Sequence, residues 1–162
     1  MNVVQHLWFE ADMATAVALY TRLVPGSRIE GRSAVMADNP GGPAGAVQTL
    51  SFSLGGQAYR ALQAPGLAGF NHAFSIVLEC DTQAEIDRLW EALGDGGQFE
   101  QCGWLRDRWG LSWQIVPRRL GELLASDDPG VARRVTERML QMVKLDIAAL
   151  ENAALESTGE GA

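Results

Sequence analysis

Apolar positions recur with the period of an α-helix at two places that lie 70 residues apart. Each set follows the spacing i, i+3, i+4, i+7, which indicates a helix with one buried face. The residues are Ala16, Leu19, Tyr20 and Leu23 in the first set, and Ile86, Leu89, Trp90 and Leu93 in the second. Thr82 and Glu85 stand just before the second set with the spacing of a capping box, which predicts the start of that helix.

Short runs with the composition of β-strands surround both predicted helices. A run that begins with histidine precedes each helix, at His6–Glu10 and at His72–Leu78. Further strand-like runs follow the helices, at 47–54 and 57–63 in the first half and at 99–105 and 111–116 in the second half. Gly55 and Gly56 separate two of these runs as a hairpin turn would. Each half therefore reads as a βαβββ module.

The repeat predicts an α+β fold in which two pseudo-symmetric βαβββ modules form curved sheets around a cleft. Neither half can bury its apolar sheet face alone, so we expect the halves to pair. The predicted organisation is one domain over residues 1–156. It comprises module one at about 3–64, module two at about 70–117, C-terminal helices at about 118–156 and a tail at 157–162.

The composition and charge of the chain argue against some classes of binding partner. The chain has 162 residues and a formal net charge of −7, and its basic residues are scattered. Nucleic acids and anionic membranes require clustered positive charge, so we expect neither as a partner. No run of 18 apolar residues and no leader pattern is present, which favours a cytoplasmic protein. Cys80 and Cys102 lack the spacing of a metal motif or a disulfide framework, and we expect buried reduced thiols.

Several segments together resemble one family. They are Leu7-Trp8-Phe9, Tyr20, Pro25-Gly26-Ser27, residues 42–47, residues 52–57, residues 80–83, residues 101–105 and, most specifically, residues 107–117. On these segments the chain is similar to the PhnB-like branch of the vicinal oxygen chelate superfamily, which includes glyoxalase I, bleomycin-resistance proteins and extradiol dioxygenases. The resemblance extends from about Val3 to Met142. It implies paired modules with a cupped site, usually in a homodimer.

The resemblance also implies where a metal would bind. In metal-using relatives four ligands come from the first and last strands of the modules, and the corresponding positions here are His6, Ala61, His72 and Gln114. Relatives usually carry glutamate where Ala61 and Gln114 stand. The set His6, His72 and Gln114 could hold zinc, nickel, iron or manganese only weakly without a carboxylate. The sequence therefore favours a site without a metal over one with a divalent ion.

Strand alternation then predicts the walls of the cleft, because alternate side chains share a face. If His6, His72 and Gln114 face the cleft, their alternate neighbours should face it as well. The predicted lining residues are Val4, Trp8, Tyr59, Ala61, Gln63, Phe74, Ile76, Ser112, Gln114 and Val116. Aromatic walls with a few polar groups suit a flat or apolar small molecule. Arg60, Arg106 and Asp107 are expected to be solvated or paired near strand ends.

Four functions remain open at this point, the fourth being a subunit-contact or regulatory protein with a relict cleft. The first is binding of an unidentified small molecule, with no reaction assigned. The second is a metal-dependent lyase, isomerase or dioxygenase that uses His6 and His72, and the third is a bleomycin-resistance-like protein that sequesters its ligand. Members of the resembled branch often carry the name demethylubiquinone methyltransferase. The sequence shows no glycine-rich strand-to-helix turn of the kind that commonly binds such a cofactor.

Overall fold

A computed structural model describes residues 1–66 and 69–156 of the chain. The chain divides into two compact units, Met1–Gly69 and Phe70–Ala162, and each is described by itself. The C-terminal helices belong to the second unit. The tail predicted at 157–162 lies outside the described residues.

The first unit is a four-stranded sheet with one helix. Its strands follow the order β1-β4-β3-β2, in which β1 runs parallel to β4 and the other neighbours are antiparallel. The elements are β1 (Gln5–Phe9), α1 (Met13–Leu23), β2 (Arg28–Ala34), β3 (Gln48–Leu54) and β4 (Gln57–Gln63). Gly55 and Gly56 both have positive φ, 55° and 86°, as a tight hairpin turn requires. The hairpin predicted at this dipeptide is confirmed.

The second unit repeats this architecture. Its strand order is β5-β8-β7-β6, again with the first strand parallel to the last. The elements are β5 (Ser75–Cys80), α2 (Gln83–Gly94), β6 (Gln98–Phe99), β7 (Trp104–Arg106) and β8 (Ser112–Pro117). The α+β fold with two βαβββ modules is therefore confirmed.

Each helix covers one face of the sheet in its own unit. In the first unit the Met13 backbone N–H donates to Gln63 Oε1 at 3.0 Å, which places Gln63 on the side of α1. In the second unit the Phe99 ring stacks on Trp90 of α2 at 4.9 Å between ring centroids. Residues that lie opposite each other on neighbouring strands share a face of the sheet. These contacts therefore show which strand residues face the helix and which face away from it. We call the opposite sides the α1-distal face and the α2-distal face.

The helix-facing layers form the cores of the two modules. Their strand residues are almost wholly buried, as the apolar half of each alternation predicts. They are Leu7, Phe9, Leu50, Phe52, Tyr59 and Ala61 in the first unit, and Ile76, Leu105, Trp113 and Ile115 in the second. Leu7, Phe9, Trp113 and Ile115 thus lie where the sequence predicted, facing the helices.

The two helices begin differently. Thr82 Oγ1 accepts a hydrogen bond from the Glu85 N–H at 3.2 Å, and Glu85 Oε2 accepts one from the Thr82 N–H at 3.1 Å. This is the predicted capping box. Asp12 caps α1 with φ of 55° and makes no side-chain capping bond.

Asp107 organises the turn before β8. Its carboxylate is 3% exposed and accepts hydrogen bonds from the Trp109 N–H, the Leu111 N–H and the Trp113 indole N–H, at 2.9, 3.0 and 2.9 Å. Asp107 directly follows the last residue of β7 and is hydrogen-bonded, so of the two predicted alternatives the paired one fits and the solvated one does not. A buried carboxylate needs several donors, and this turn supplies them.

The chain beyond β8 forms three helices in the second unit: α3 (Arg118–Leu124), α4 (Pro129–Met139) and α5 (Ile147–Leu155). Asp128 accepts a hydrogen bond from the Gly130 N–H at 2.8 Å at the start of α4. The helices share a buried cluster of Leu120, Leu123, Val135, Met142, Leu145 and Leu150.

The segment between α4 and α5 is tied to the module by hydrogen bonds. The backbone N–H groups of Cys102 and Gly103 donate to the carbonyls of Met142 and Val143, each at 2.8 Å. The Gln83 side chain of α2 donates to the Leu145 carbonyl at 3.1 Å and accepts from the Ile147 N–H at 3.0 Å. The C-terminal helices are therefore fixed to the second sheet. Among the described residues no helix is both long enough and apolar enough to cross a bilayer.

Candidate functional site

The α1-distal face of the first sheet carries a row of polar side chains. His6 on β1 lies opposite Arg60 on β4, and Arg60 lies opposite Ser51 on β3. These residues line a cavity of about 420 Å³ together with Ser33 and Thr49. A guanidinium, an imidazole and several hydroxyls therefore converge on one surface.

Trp8 follows on the same face. It is two residues beyond His6 on β1 and is 39% exposed. Its indole N–H donates to the Ala64 carbonyl at 2.9 Å, which fixes the ring. Ser33 and Thr49 are paired across β2 and β3, with 2.6 Å between their hydroxyl oxygens.

The face predicted for Tyr59, Ala61 and Gln63 is wrong. Tyr59 and Ala61 are 7% and 1% exposed and lie in the helix-facing layer, and Gln63 accepts the bond from α1. The register explains the difference, because Arg60 rather than Ala61 lies opposite His6. The ligand position that the resemblance gave to Ala61 is one residue away from this face.

The α2-distal face of the second sheet carries a network centred on Glu100. Glu100 Oε2 lies 2.7 Å from His72 Nε2, and Glu100 Oε1 accepts from Arg106 Nε at 2.7 Å. Arg106 also donates to the Gln98 side chain. The Trp104 ring centroid lies 6.0 Å from that of His72. The sequence predicted that Arg106 is either solvated or paired, and its ion pair with Glu100 confirms the second alternative.

The network sets the charge of Glu100. Burial raises the pKa of its carboxyl group, but the hydrogen bonds from His72 and Arg106 outweigh burial and leave the pKa below its ordinary value. A carboxylate that holds one nitrogen of a histidine orients the ring and fixes its tautomer. The contact with Glu100 therefore holds the His72 ring through Nε2.

Gln114 lies on the same face of β8. Its amide donates to the Ser75 hydroxyl at 2.9 Å, and it lies opposite Val77 of β5 and Trp104 of β7. Ser112 shares this face through its register with Ser75, and its hydroxyl is fully buried with no hydrogen-bond partner among the described residues.

The strand predicted to start at His72 begins three residues later. His72 lies in a turn and Phe74 in a bend before β5, so neither occupies a position like that of His6 inside β1. Ile76 is 7% exposed and lies opposite Trp113 in the helix-facing layer. The cleft-facing assignment of Ile76 is therefore wrong.

The surroundings of His6 fit a divalent cation poorly, because the permanently cationic Arg60 lies opposite it. Like charge beside a ligand raises the cost of holding a cation. Within residues 1–66 and 69–156, no three side chains of His, Cys, Asp or Glu lie close enough together to bind a metal.

The two cysteines differ in surroundings. Cys80 is 4% exposed, and burial, followed by the charge of Glu85, raises its pKa to about 11. The thiol is protonated at neutral pH and is therefore a poor nucleophile. Cys102 is half-buried at a positive φ of 59°.

Sequence reasoning missed most of the polar groups on these faces. Glu100 was assigned only as the start of a strand, and its contacts with His72 and Arg106 span 28 and 6 residues. The signal for Arg60 was present. Side chains alternate between the two faces along β4. Tyr59 and Ala61 are the apolar residues of one face, so Arg60 between them lies on the other face.

Comparison with known proteins agrees with this architecture. The family model described as 3-demethylubiquinone-9 3-methyltransferase matches residues 1–116. A PhnB protein from Bacillus cereus is 26% identical over 72% of this chain and 99% of its own, with a TM-score of 0.62. Protein PA1353 from Pseudomonas aeruginosa is 24% identical over 72% of this chain and 97% of its own, with a TM-score of 0.55. The fosfomycin resistance protein FosX from Mesorhizobium loti shares the fold, at 17% identity, 78% and 98% coverage and a TM-score of 0.53.

No curated protein matches the sequence. The family match covers more than half of the chain, and the neighbours share its paired modules. The chain therefore belongs to the 3-demethylubiquinone-9 3-methyltransferase family, a PhnB-like branch of the glyoxalase or vicinal oxygen chelate superfamily.

Proposed function

We propose that this PhnB-like protein binds a small, flat or apolar organic molecule against the distal faces of its sheets, without a resident metal. The observation that carries the proposal is Trp8. Its ring is fixed by the bond to Ala64, lies 39% exposed and shares a face with His6 and Arg60. A rigid exposed aromatic beside converging polar groups is typical of small-molecule sites.

The second unit offers a similar combination. Val77 is 50% exposed on the α2-distal face opposite Gln114, and Phe74 is 41% exposed just before β5. His72 and Glu100 add a pair of hydrogen-bonded polar side chains. Apolar surface next to oriented hydrogen-bonding groups supports recognition of an organic molecule rather than of a bare ion.

Methyl transfer is not part of the proposal. The turns that lead from strand to helix, residues 10–12 and 81–82, contain no glycine. A glycine-rich turn lets the backbone approach a bound nucleotide-like cofactor closely. The family description therefore names an activity for which these turns give no support.

The test uses 2-naphthamide, a flat and neutral probe, titrated into 15N-labelled protein and followed by backbone amide shifts. We expect saturable shifts around Trp8 that are unchanged after EDTA treatment and dialysis. Trp8→Ala should weaken binding about tenfold or more, since stacking contributes roughly 1–3 kcal/mol. Trp8→Phe should retain part of the affinity because it keeps a flat ring.

Leu140→Ala is the matched control. Leu140 is 58% exposed at the C-cap of α4 and belongs to no strand of either sheet, so its loss should leave probe binding unchanged. Elemental analysis of the untreated protein belongs to the same experiment. Binding that requires one equivalent of zinc, nickel, iron or manganese, or no saturable shift at Trp8, would overturn the proposal.

A further inference from the structure

The cavity on the α1-distal face has an unusual charge for this chain. Arg60 is its cationic lining residue, and none of the seven described residues that line it carries a carboxylate. Among the described residues Arg60 forms no hydrogen bond or ion pair, whereas Arg28 on β2 is paired with Glu30 at 3.1 Å. Arg60 is thus an exposed arginine without an ion pair in the described part of the chain, at the edge of a cavity, in a protein whose net charge is −7.

Hydrogen-bond donors surround this guanidinium. The register places His6 and Ser51 directly on either side of Arg60, so the three span adjacent strands about 4.8 Å apart. Ser33 and Thr49 form the next pair along β2 and β3. A guanidinium fork with flanking imidazole and hydroxyl groups matches the oxygens of a carboxylate or of a tetrahedral phosphorus oxyanion.

The apolar side chains near Arg60 indicate which kind of anion fits this face. Leu62 lies opposite Trp8 and is two residues beyond Arg60 on the same face of β4. An anionic group held at Arg60 therefore has an aromatic and an aliphatic side chain next to it. This arrangement suits an organic anion with a flat or apolar body better than a free inorganic ion.

We propose that the cavity between His6, Ser51 and Arg60 binds the anionic head of an organic acid, a carboxylate or a phosphonate, whose apolar body lies against Trp8 and Leu62. This inference rests on the proposed function, because it names the chemical class of the molecule bound on that face. The site lies wholly within the first unit.

The experiment compares 2-naphthoate with 2-naphthamide, which have the same ring system but differ in charge. Titrations are followed by the amide shifts of residues 6, 8, 51 and 60. We expect the acid to bind at least tenfold more tightly than the amide, and Arg60→Gln to abolish that preference while leaving amide binding in place. Naphthalene-2-phosphonate compared with 2-naphthoate shows whether the site prefers a tetrahedral or a planar anionic head. Inorganic phosphate shows whether the head binds without the apolar body.

Arg32→Gln is the matched control. Arg32 is an exposed arginine of the same sheet, but it lies opposite Leu50 in the helix-facing row, so the same charge is removed from the other side. It should change the affinity for naphthoate less than twofold. Equal binding of acid and amide, or equal losses in Arg32→Gln and Arg60→Gln, would refute the anion site and leave the proposed function standing. Failure of both probes to bind would refute both.

Discussion

The two units share a strand order and a helix-facing core but differ in the chemistry of their distal faces. On the first sheet Arg60 has no ionic partner within residues 1–66 and 69–156, and hydroxyl groups line the cavity beside it. On the second sheet the charge of Arg106 is shared with Glu100, which also binds His72. Helix-facing positions must fill a close-packed core, so a duplicated module keeps their apolar character. Exposed distal positions such as Arg60 are free of that demand and can acquire different functions.

The largest expected effect concerns the turn before β8, which has no equivalent at the Gly55-Gly56 hairpin of the first unit. Asp107→Ala removes the carboxylate that accepts three hydrogen bonds, two of them buried and one partly buried, and the loss of each buried bond costs roughly 1–3 kcal/mol. We expect the free energy of unfolding, measured by urea denaturation, to fall by at least about 3 kcal/mol.

Asp38 provides the control in the first unit. It accepts one exposed bond, from the Ala44 N–H at 3.0 Å, so Asp38→Ala should cost less than about 1 kcal/mol. Similar losses in both variants would show that the second unit does not depend on its buried carboxylate in the way described.

A smaller difference is expected between the two helix starts. Thr82→Ala removes the capping box of α2 and should lower the free energy of unfolding by about 1 kcal/mol. Asp12 makes no side-chain capping bond and has φ of 55°, which glycine adopts readily. The free energy of unfolding of Asp12→Gly should therefore lie within about 0.5 kcal/mol of that of the parent protein. The reverse order in thermal or urea unfolding would contradict this comparison.

The smallest effect is a pH dependence confined to the second sheet. The pKa of Glu100 is lower in the folded state than in the unfolded state. Its ionised form therefore stabilises the fold at any pH above the unfolded-state pKa. That stabilisation disappears as the pH falls through the lowered pKa. Glu100→Gln should lose some stability at pH 7 and show a flatter decline between about pH 5 and pH 3.

The exposed Glu91 of α2 supplies the comparison for this measurement. Glu91→Gln should follow the acid profile of the parent protein. If Glu100→Gln and the parent decline in parallel between pH 5 and pH 3, the bonds to His72 and Arg106 do not stabilise the fold.

The sequence predicted the modules far better than the sites. Helices with a regular apolar stripe, such as that ending at Leu23, are determined by local spacing, and the capping box at Thr82 is a local signal. The contacts of His72 with Glu100 and of Trp8 with Ala64 join residues 28 and 56 positions apart. Such contacts depend on register, and a one-residue error transfers a whole strand to the other face, as the assignment of Ala61 shows.

The hydrogen bonds between Cys102–Gly103 and Met142–Val143 bear on how the length of this family can vary. The family match ends at residue 116, but the segment after it satisfies backbone donors inside the matched region. Deleting that segment would leave the Cys102 and Gly103 N–H groups without their carbonyl acceptors and would uncover Val116, which packs against the apolar cluster of the C-terminal helices. A shorter relative must satisfy the two N–H groups at the β6–β7 turn with water or with other residues.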